Sequence, residues 1–589
     1  MSTVRTTLGA LALSLSAAAC LSVPDGAKPE CTSTSECDTA HGEVCEEGLC
    51  FGNPPQGTFA AVISPPSDQA NLVAKELTSL AITEQGWLSG LQLERPVSIS
   101  GHIDAVCTPP AVCDRGITAT VTITRDSHFA GGPGFKTVVS TESGLEGASF
   151  ELNLPRTNDG DADYIMTIVP DGRGDQPGTG ITPAQLVPPM RAELGVPADM
   201  SKMFVLGGLN LPVVDGTLVA AAGGGLAQYR VVALGRWKMG SPLIEVSTVD
   251  YTEADGKFRL VLSDSLEGDV EIVAKPWGPA APTLRLGGVS SFEPSMIVLQ
   301  QPAMLGSVVK VTVPVKGKDG GGEIAPVRGA RVRVMAQTTS STLPGSTLAT
   351  FIAEGTTNDA GTVSLDVLDG PAFRSSYKIE VVPPASANVG VVFDESFQIG
   401  TQPAMILPAR VKVRGIVLDA SGNPLKDVSV TARPSLRFAW SLEDKPQAFL
   451  SAIPAATAIT PDTGEFVVWV DPTITSLWGH YDLVFEPPTA SKYPARAPTW
   501  VQSEVAIVSP DTLSLPDVVL PDAAFVHGAV TDPDGIAVEG AEVKVFRVNT
   551  TLALCSMVPN APLSCPIPAT LQGRGASDPM GMVRVTLPR

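Results

Sequence analysis

From residue 59 onward, apolar and polar positions alternate in short runs, which puts every second side chain on one face and predicts half-buried β-strands. One such strand, ending in proline, recurs four times: Tyr164, Met166, Ile168 and Pro170; Val270, Ile272, Ala274 and Pro276; Tyr377, Ile379, Val381 and Pro383; Tyr481, Leu483, Phe485 and Pro487. Their first positions lie 106, 107 and 104 residues apart. Ahead of these strands a glycine turn feeds a second alternating strand: Gly147 with Phe150 and Leu152, Gly256 with Phe258 and Leu260, Gly361 with Val363 and Leu365, Gly464 with Phe466 and Val468. A last copy stands at Gly581 with Val583 and Val585. A hairpin cannot bury its apolar face alone, and a repeat of roughly 105 residues is too long for a solenoid unit and fits one sandwich domain. The pattern predicts an all-β chain of about five tandem β-sandwiches.

The two ends of the array do not match. The fifth unit stops at Leu587-Pro588-Arg589, before the strand ending in proline that follows the same turn elsewhere. Phe59, Ala61, Ile63 and Pro65 carry that missing pattern, 105 residues ahead of Tyr164. If 59–65 adds to the sheet beside 583–587, it covers an open apolar edge and folds the array back on itself. In a straight rod, 59–65 would instead lead into the first sandwich.

The opening strand of a unit is clearest at Val411, Val413, Gly415 and Val417, followed by a turn at Gly422 and Pro424 and a second strand at Val428 and Val430. The same shape returns at Val526, Gly528 and Val530, then Gly535, then Val538 through Val545. These residues resemble the carboxypeptidase regulatory-like, or transthyretin-like, domain family. The resemblance covers the fourth and fifth units well, the third in part (Val327 to Val334, without the early glycine), and the first two weakly. It implies Ig-like/transthyretin-like sandwiches serving as stalks, spacers or binding modules on exported proteins. The units are expected at 58–200, 201–300, 301–407, 408–520 and 521–589, the last being incomplete, behind a signal segment at 1–20 and a Cys-rich piece with its linker at 21–57.

Composition agrees with many short strands. Gly (56) and Pro (52) are abundant and only 17% of the 589 residues are charged. The net charge of −21 opposes binding to a phosphate backbone, so nucleic acid is not an expected partner.

Met1 to Cys20 reads as an export signal: a charged start at Arg5, an apolar stretch from Leu8 to Leu15, and the small residues Ala17, Ala18 and Ala19 before Cys20. A cysteine there resembles the lipobox of bacterial lipoproteins, which implies that Cys20 carries a lipid and tethers the chain to a membrane. Ala17 stands where that pattern usually has Leu, and plain cleavage at the same bond is the alternative. Cysteine parity bears on the choice, because removing Cys20 from nine cysteines leaves eight in locally paired sets, as an oxidising compartment permits. Residues 31–50 hold Cys31, Cys37, Cys45 and Cys50 with almost no apolar residue, so disulfides must hold this piece together. It resembles the small Cys-rich, EGF-like knots near the start of bacterial surface lipoproteins. Three pairings are open, and a zinc site competes on spacings that fit the usual C-x₂₋₄-C pairs poorly. Cys107–Cys113 and Cys555–Cys565 are expected as local disulfides within Pro-containing loops.

His41, His102, His128, His480 and His527 are the five histidines, and none has Glu or Asp at the third following position, so an H-x-x-E zinc pair is missing. No G-x-S-x-G elbow, P-loop or G-x-G-x-x-G occurs. Asp159, Asp161 and Asp163 could offer alternate oxygens to Ca²⁺, but the twelfth position from Asp159 is Pro170 where an EF-type loop needs Glu, and a solvated acidic hairpin joining two strands is the preferred reading. Calcium is the ion suggested by these aspartates, and no cofactor is expected. Arg173-Gly174-Asp175 spells an integrin-binding tripeptide, a match of low information. Of seven tryptophans, Trp277, Trp440, Trp478 and Trp500 lie outside the repeated strands and could stack on sugars.

These readings point to a non-enzymatic lipoprotein, exported and anchored to the outer membrane or cell surface, acting as a spacer or binding module for an envelope protein or glycan. The alternatives are a carbohydrate- or peptide-binding protein, an accessory subunit of an exported hydrolase, and an enzyme with an unfamiliar site.

Overall fold

The computed structural model describes residues 29–113, 116–130, 134–144, 147–158, 163–174, 180–238, 241, 243–278, 281–293, 296–318, 323–338, 347–373, 377–384, 386–400, 403–435, 456–472, 480–488, 497–507, 512–548 and 567–589. These form β-sandwiches behind a disulfide-rich module, with a single four-residue α-helix, Pro183–Leu186. No helix among them is long and apolar enough to cross a membrane.

The first sandwich shows the plan. One sheet runs Glu142–Gly144, Gly147–Leu154, Val97–Val106, Met200–Gly207, and the other runs Met190–Leu194, Tyr164–Pro170, Ala119–Arg125, Phe135–Ser140. Alternation turns Ile99, Ile103, Phe150, Leu152, Tyr164 and Met166 into the space between the sheets, where they form one core. The final strand, Met200–Gly207, returns parallel to the opening strand. This corrects the expected boundary at 200/201, which would have given that strand to the second unit; the repeat was read from strands that precede it. Parallel returns recur at Ile297–Gln300, Met405–Leu407 and Val518–Val519.

Two devices recur with the fold. A buried hydroxyl at Thr141, Thr252, Thr357, Thr460 and Ser577 accepts the amide N–H of Ala119, Tyr229, Ala330, Val428 and Ala541, respectively, at 2.8–2.9 Å. Each satisfies a buried donor at the same corner of its unit. The second device explains the early glycine. Gly101, Gly216 and Gly415 pair with Phe150, Phe258 and Phe466, and a Cβ on these glycines would come within 2.1, 2.1 and 2.8 Å of the rings. In the third unit the paired residue is the smaller Val363, and the glycine's place is taken by Val313.

The fifth sandwich is assembled from both ends of the chain. Ala523–Ala529, Glu542–Val548, Ile567–Ala576 and Met582–Pro588 supply four strands, Thr58–Ser64, Lys75–Leu80 and Trp87–Leu88 supply three more, and Phe129–Ala130 of the first unit adds an edge strand parallel to Ile567–Ala576. Thr58–Ser64 pairs antiparallel with Glu542–Val548 along seven residues, Ala61 opposite Val545. Its neighbour is therefore not 583–587, as the sequence suggested. That strand lies in the facing sheet, and Phe59, Ala61 and Ile63 meet Val583, Val585 and Leu587 across the core. The reason is register with the repeat: in every unit the strand ending in proline pairs with the second strand. A straight rod forbids this contact, and residues 58–95 belong to the fifth unit instead of the first.

Each unit also touches the next. Val249 N–H donates to Ala184 O at 2.8 Å between the first and second. Thr283–Val289 pairs with Thr347–Thr356, fusing the second and third into one nine-stranded sheet. Val391 N–H donates to Asp471 Oδ2 at 2.9 Å between the third and fourth, and Arg574 lies 3.6 Å from Glu486 between the fourth and fifth. Phe129 of the first unit rests on Phe546 of the fifth, ring centroids 4.9 Å apart. The five contacts close a cycle.

Candidate functional site

The first described residues and the C-terminal strand converge where the Cys-rich module meets the fifth sandwich. Residues 31–50 are held by Cys31–Cys45 and Cys37–Cys50. Cys31, Cys37 and Cys50 sulfurs cluster within 4.8 Å, but all are spent in disulfides, which leaves no thiolate for zinc. The hairpin Val44–Glu46 and Leu49–Phe51 buries Leu49 and Phe51 against Phe525, and Phe51 continues the sheet in parallel with Phe525. Gly86, at φ 78°, lies beneath this seam; a Cβ there would stand 3.0 Å from Gly52 N and Phe525 O.

His527 sits at the centre of the seam, 9% exposed. Its ring stacks on Phe51 at 4.5 Å, the edge of Trp87 approaches at 5.0 Å, and Nδ1 lies 3.3 Å from Glu46 Oε2. Burial lowers its pKa below 6.5; Glu46 and Glu47 pull it back up, Arg584 pushes it down, and the balance stays low. Arg584 stands 5.7 Å over the Phe51 ring and 3.3 Å from Glu47. Arg589 bridges Glu43 of the module and Asp522 of the sandwich. In the sequence His527 merely lacks an acidic residue at the third following position, and Trp87 is not among the tryptophans outside the repeated strands; no local signal links either to Phe51.

An open cleft of about 440 Å³ lies beside the seam, lined by His41, Asn53, Gln56, Phe59, Ile82 and Glu84 among others. His41 Nδ1 is 2.6 Å from Asp38 Oδ2. The lining contains no Ser, Thr or Cys to act as a nucleophile beside that pair.

The other candidates scatter. Cys20, Asp159, Asp161, Cys555, Cys565, Trp440 and Trp478 lie outside the described residues; Asp163 is described, immediately before Tyr164–Pro170. Cys107 and Cys113 form a disulfide. Arg173 of the tripeptide is turned inward: Nε donates to Glu245 Oε2 at 2.7 Å and Nη2 to Ser247 O at 2.9 Å, tying the first unit to the second. Burial pushes the Glu245 carboxyl up, but Arg230 and Arg173 outweigh it and hold its pKa below the ordinary value. Each histidine has one carboxylate within 4.0 Å, and among the described residues no two histidines converge. Trp277 is exposed, Trp500 packs against the fourth core, and Trp87 is partly exposed on another unit.

No protein-family model matches the chain, and no curated protein matches it. Among solved structures, a streptococcal ancillary pilin aligns with 54% of this chain and 99% of its own at 11% identity and TM-score 0.17. The shaft pilin SpaA from Lactobacillus rhamnosus GG aligns with 35% of this chain and 97% of its own at 10% identity and TM-score 0.14. The Bacillus anthracis TIE protein aligns with 71% of this chain and 73% of its own at 11% identity and TM-score 0.14. Likenesses this low carry no argument about activity.

Proposed function

We propose that this chain is a non-catalytic scaffold of the bacterial cell envelope, tethered by a lipid on Cys20 and projecting four sandwiches as a loop that begins and ends on the fifth. The observation that carries this reading is the pairing of Thr58–Ser64 with Glu542–Val548. A tether entering through the disulfide module would load only that module and the fifth unit, because the loop leaves and rejoins the same sandwich. The remaining units would then serve as a stiff frame offering loops to an envelope protein or glycan. The export-like start and the disulfides support the compartment.

Metabolic labelling with a lipid probe, comparing the wild type with Cys20→Ala, tests the tether. Label on the wild type alone, with release of the variant from membranes, is expected; an unlabelled wild type refutes it. A pull-down from cell envelope with the soluble 29–589 fragment tests the scaffold role, and turnover of an envelope substrate by that fragment would overturn the non-catalytic reading.

A further inference from the structure

We propose that residues 58–95 are an exchangeable closure segment, and that the surface they cover on residues 523–588 is a binding site for the same segment of a second copy of this chain. The inference goes beyond the scaffold reading and does not depend on the tether.

Neither half of the fifth sandwich has a core of its own. Of its seventeen core residues, eight come from 58–95, Phe59, Ile63 and Leu88 among them, and nine from 523–588. Thr58–Ser64 is interior to its sheet, so removing it strips Glu542–Val548 of a full row of hydrogen-bond partners. Gly528 tells the same story on the facing sheet. A Cβ there would meet Leu91 Cδ1 at 2.7 Å and Leu88 O at 2.9 Å, so the space that Phe fills over Gly216 is filled here by residues of the N-terminal segment. The site is shaped for one occupant, an extended strand carrying Phe, Ala and Ile at alternate positions.

The segment is joined to the first unit by a short hinge. Glu94 still bridges to Val73, Val97 already pairs with Leu154, and Arg95-Pro96 alone lies between. Within one chain the segment therefore reaches its site only if the other junctions, including the sheet shared by Thr283–Val289 and Thr347–Thr356, add up to a closed path. Between chains it makes the same contacts without that condition. Identical contacts in both arrangements leave the choice to geometry and concentration, which is the setting for strand exchange.

The test uses two populations of the full chain, one carrying Ala61→Cys and the other Val545→Cys, positions directly opposite each other in the ladder. They are unfolded in denaturant with native disulfides intact, mixed, refolded over a range of concentrations and mildly oxidised. The expected result is a cross-chain disulfide whose share rises about tenfold for a tenfold rise in concentration while it is the minor product, as a bimolecular event requires. It should be missing when the populations are refolded separately and then mixed. A chain carrying both substitutions and refolded dilute should form the bridge internally. An internal bridge with no cross-chain product at any concentration overturns exchange, and failure of the internal bridge overturns the closure on which it rests.

Discussion

Arg589 donates a hydrogen bond to Glu43, 546 residues before it in the chain, and Glu43 is only 2% exposed. The pair pins the disulfide module to the sandwich that completes the cycle. Arg589→Ala withdraws the cation from a buried carboxylate, and the loss of a charged hydrogen bond is worth about 1.5–3 kcal/mol. Native-state hydrogen exchange should show faster opening of the strand Leu49–Phe51 with the other units unchanged.

His527 makes the same seam sensitive to acid. Its pKa is depressed in the folded chain, so the unfolded chain binds the proton more readily. The stability it contributes is present above its ordinary value of 6.5 and is lost as pH falls from there through the folded value. The groups facing it are Glu46, Glu47 and Arg584. Thermal unfolding of the fifth unit should therefore weaken between neutral and mildly acidic pH, and His527→Asn should flatten that dependence.

Ile63→Ala removes a fully buried side chain from the closing strand, at a cost of about 2–5 kcal/mol. Because the lost packing lies in the fifth unit, limited proteolysis should reach residues 58–95 first. Equal loosening of the second or third unit would contradict the assignment.

Gly216→Ala places a methyl group in the Phe258 ring and should cost about 1–3 kcal/mol by overpacking. The third unit already contains the remedy, Val313 opposite Val363. Combining Gly216→Val with Phe258→Val should recover much of the loss, measured as a positive coupling in a double-mutant cycle of unfolding midpoints.

Peptide mapping under non-reducing conditions should recover Cys107 with Cys113 and Cys555 with Cys565. Either cysteine joined to the 31–50 module would refute local pairing.

Much of this protein was legible in its sequence because period-two alternation and glycine turns act over a few residues, and each hairpin can be read where it stands. The repeat near 105 residues then marked the sandwiches, and even the orphan strand at Phe59, Ala61 and Ile63 declared itself by pattern. Its partner did not. That Ala61 faces Val545, with Val585 across the core, follows from register inside a unit whose halves are separated by four others. The pairing of Cys31 with Cys45, the turning of Arg173 onto Glu245, and the stacking of Phe51 on His527 were equally silent. The disulfide is one of three pairings open to four cysteines in a short module, and the other two contacts depend on how the units are set against one another. That arrangement is the sum of several small junction geometries, and no periodicity along the chain encodes such a sum.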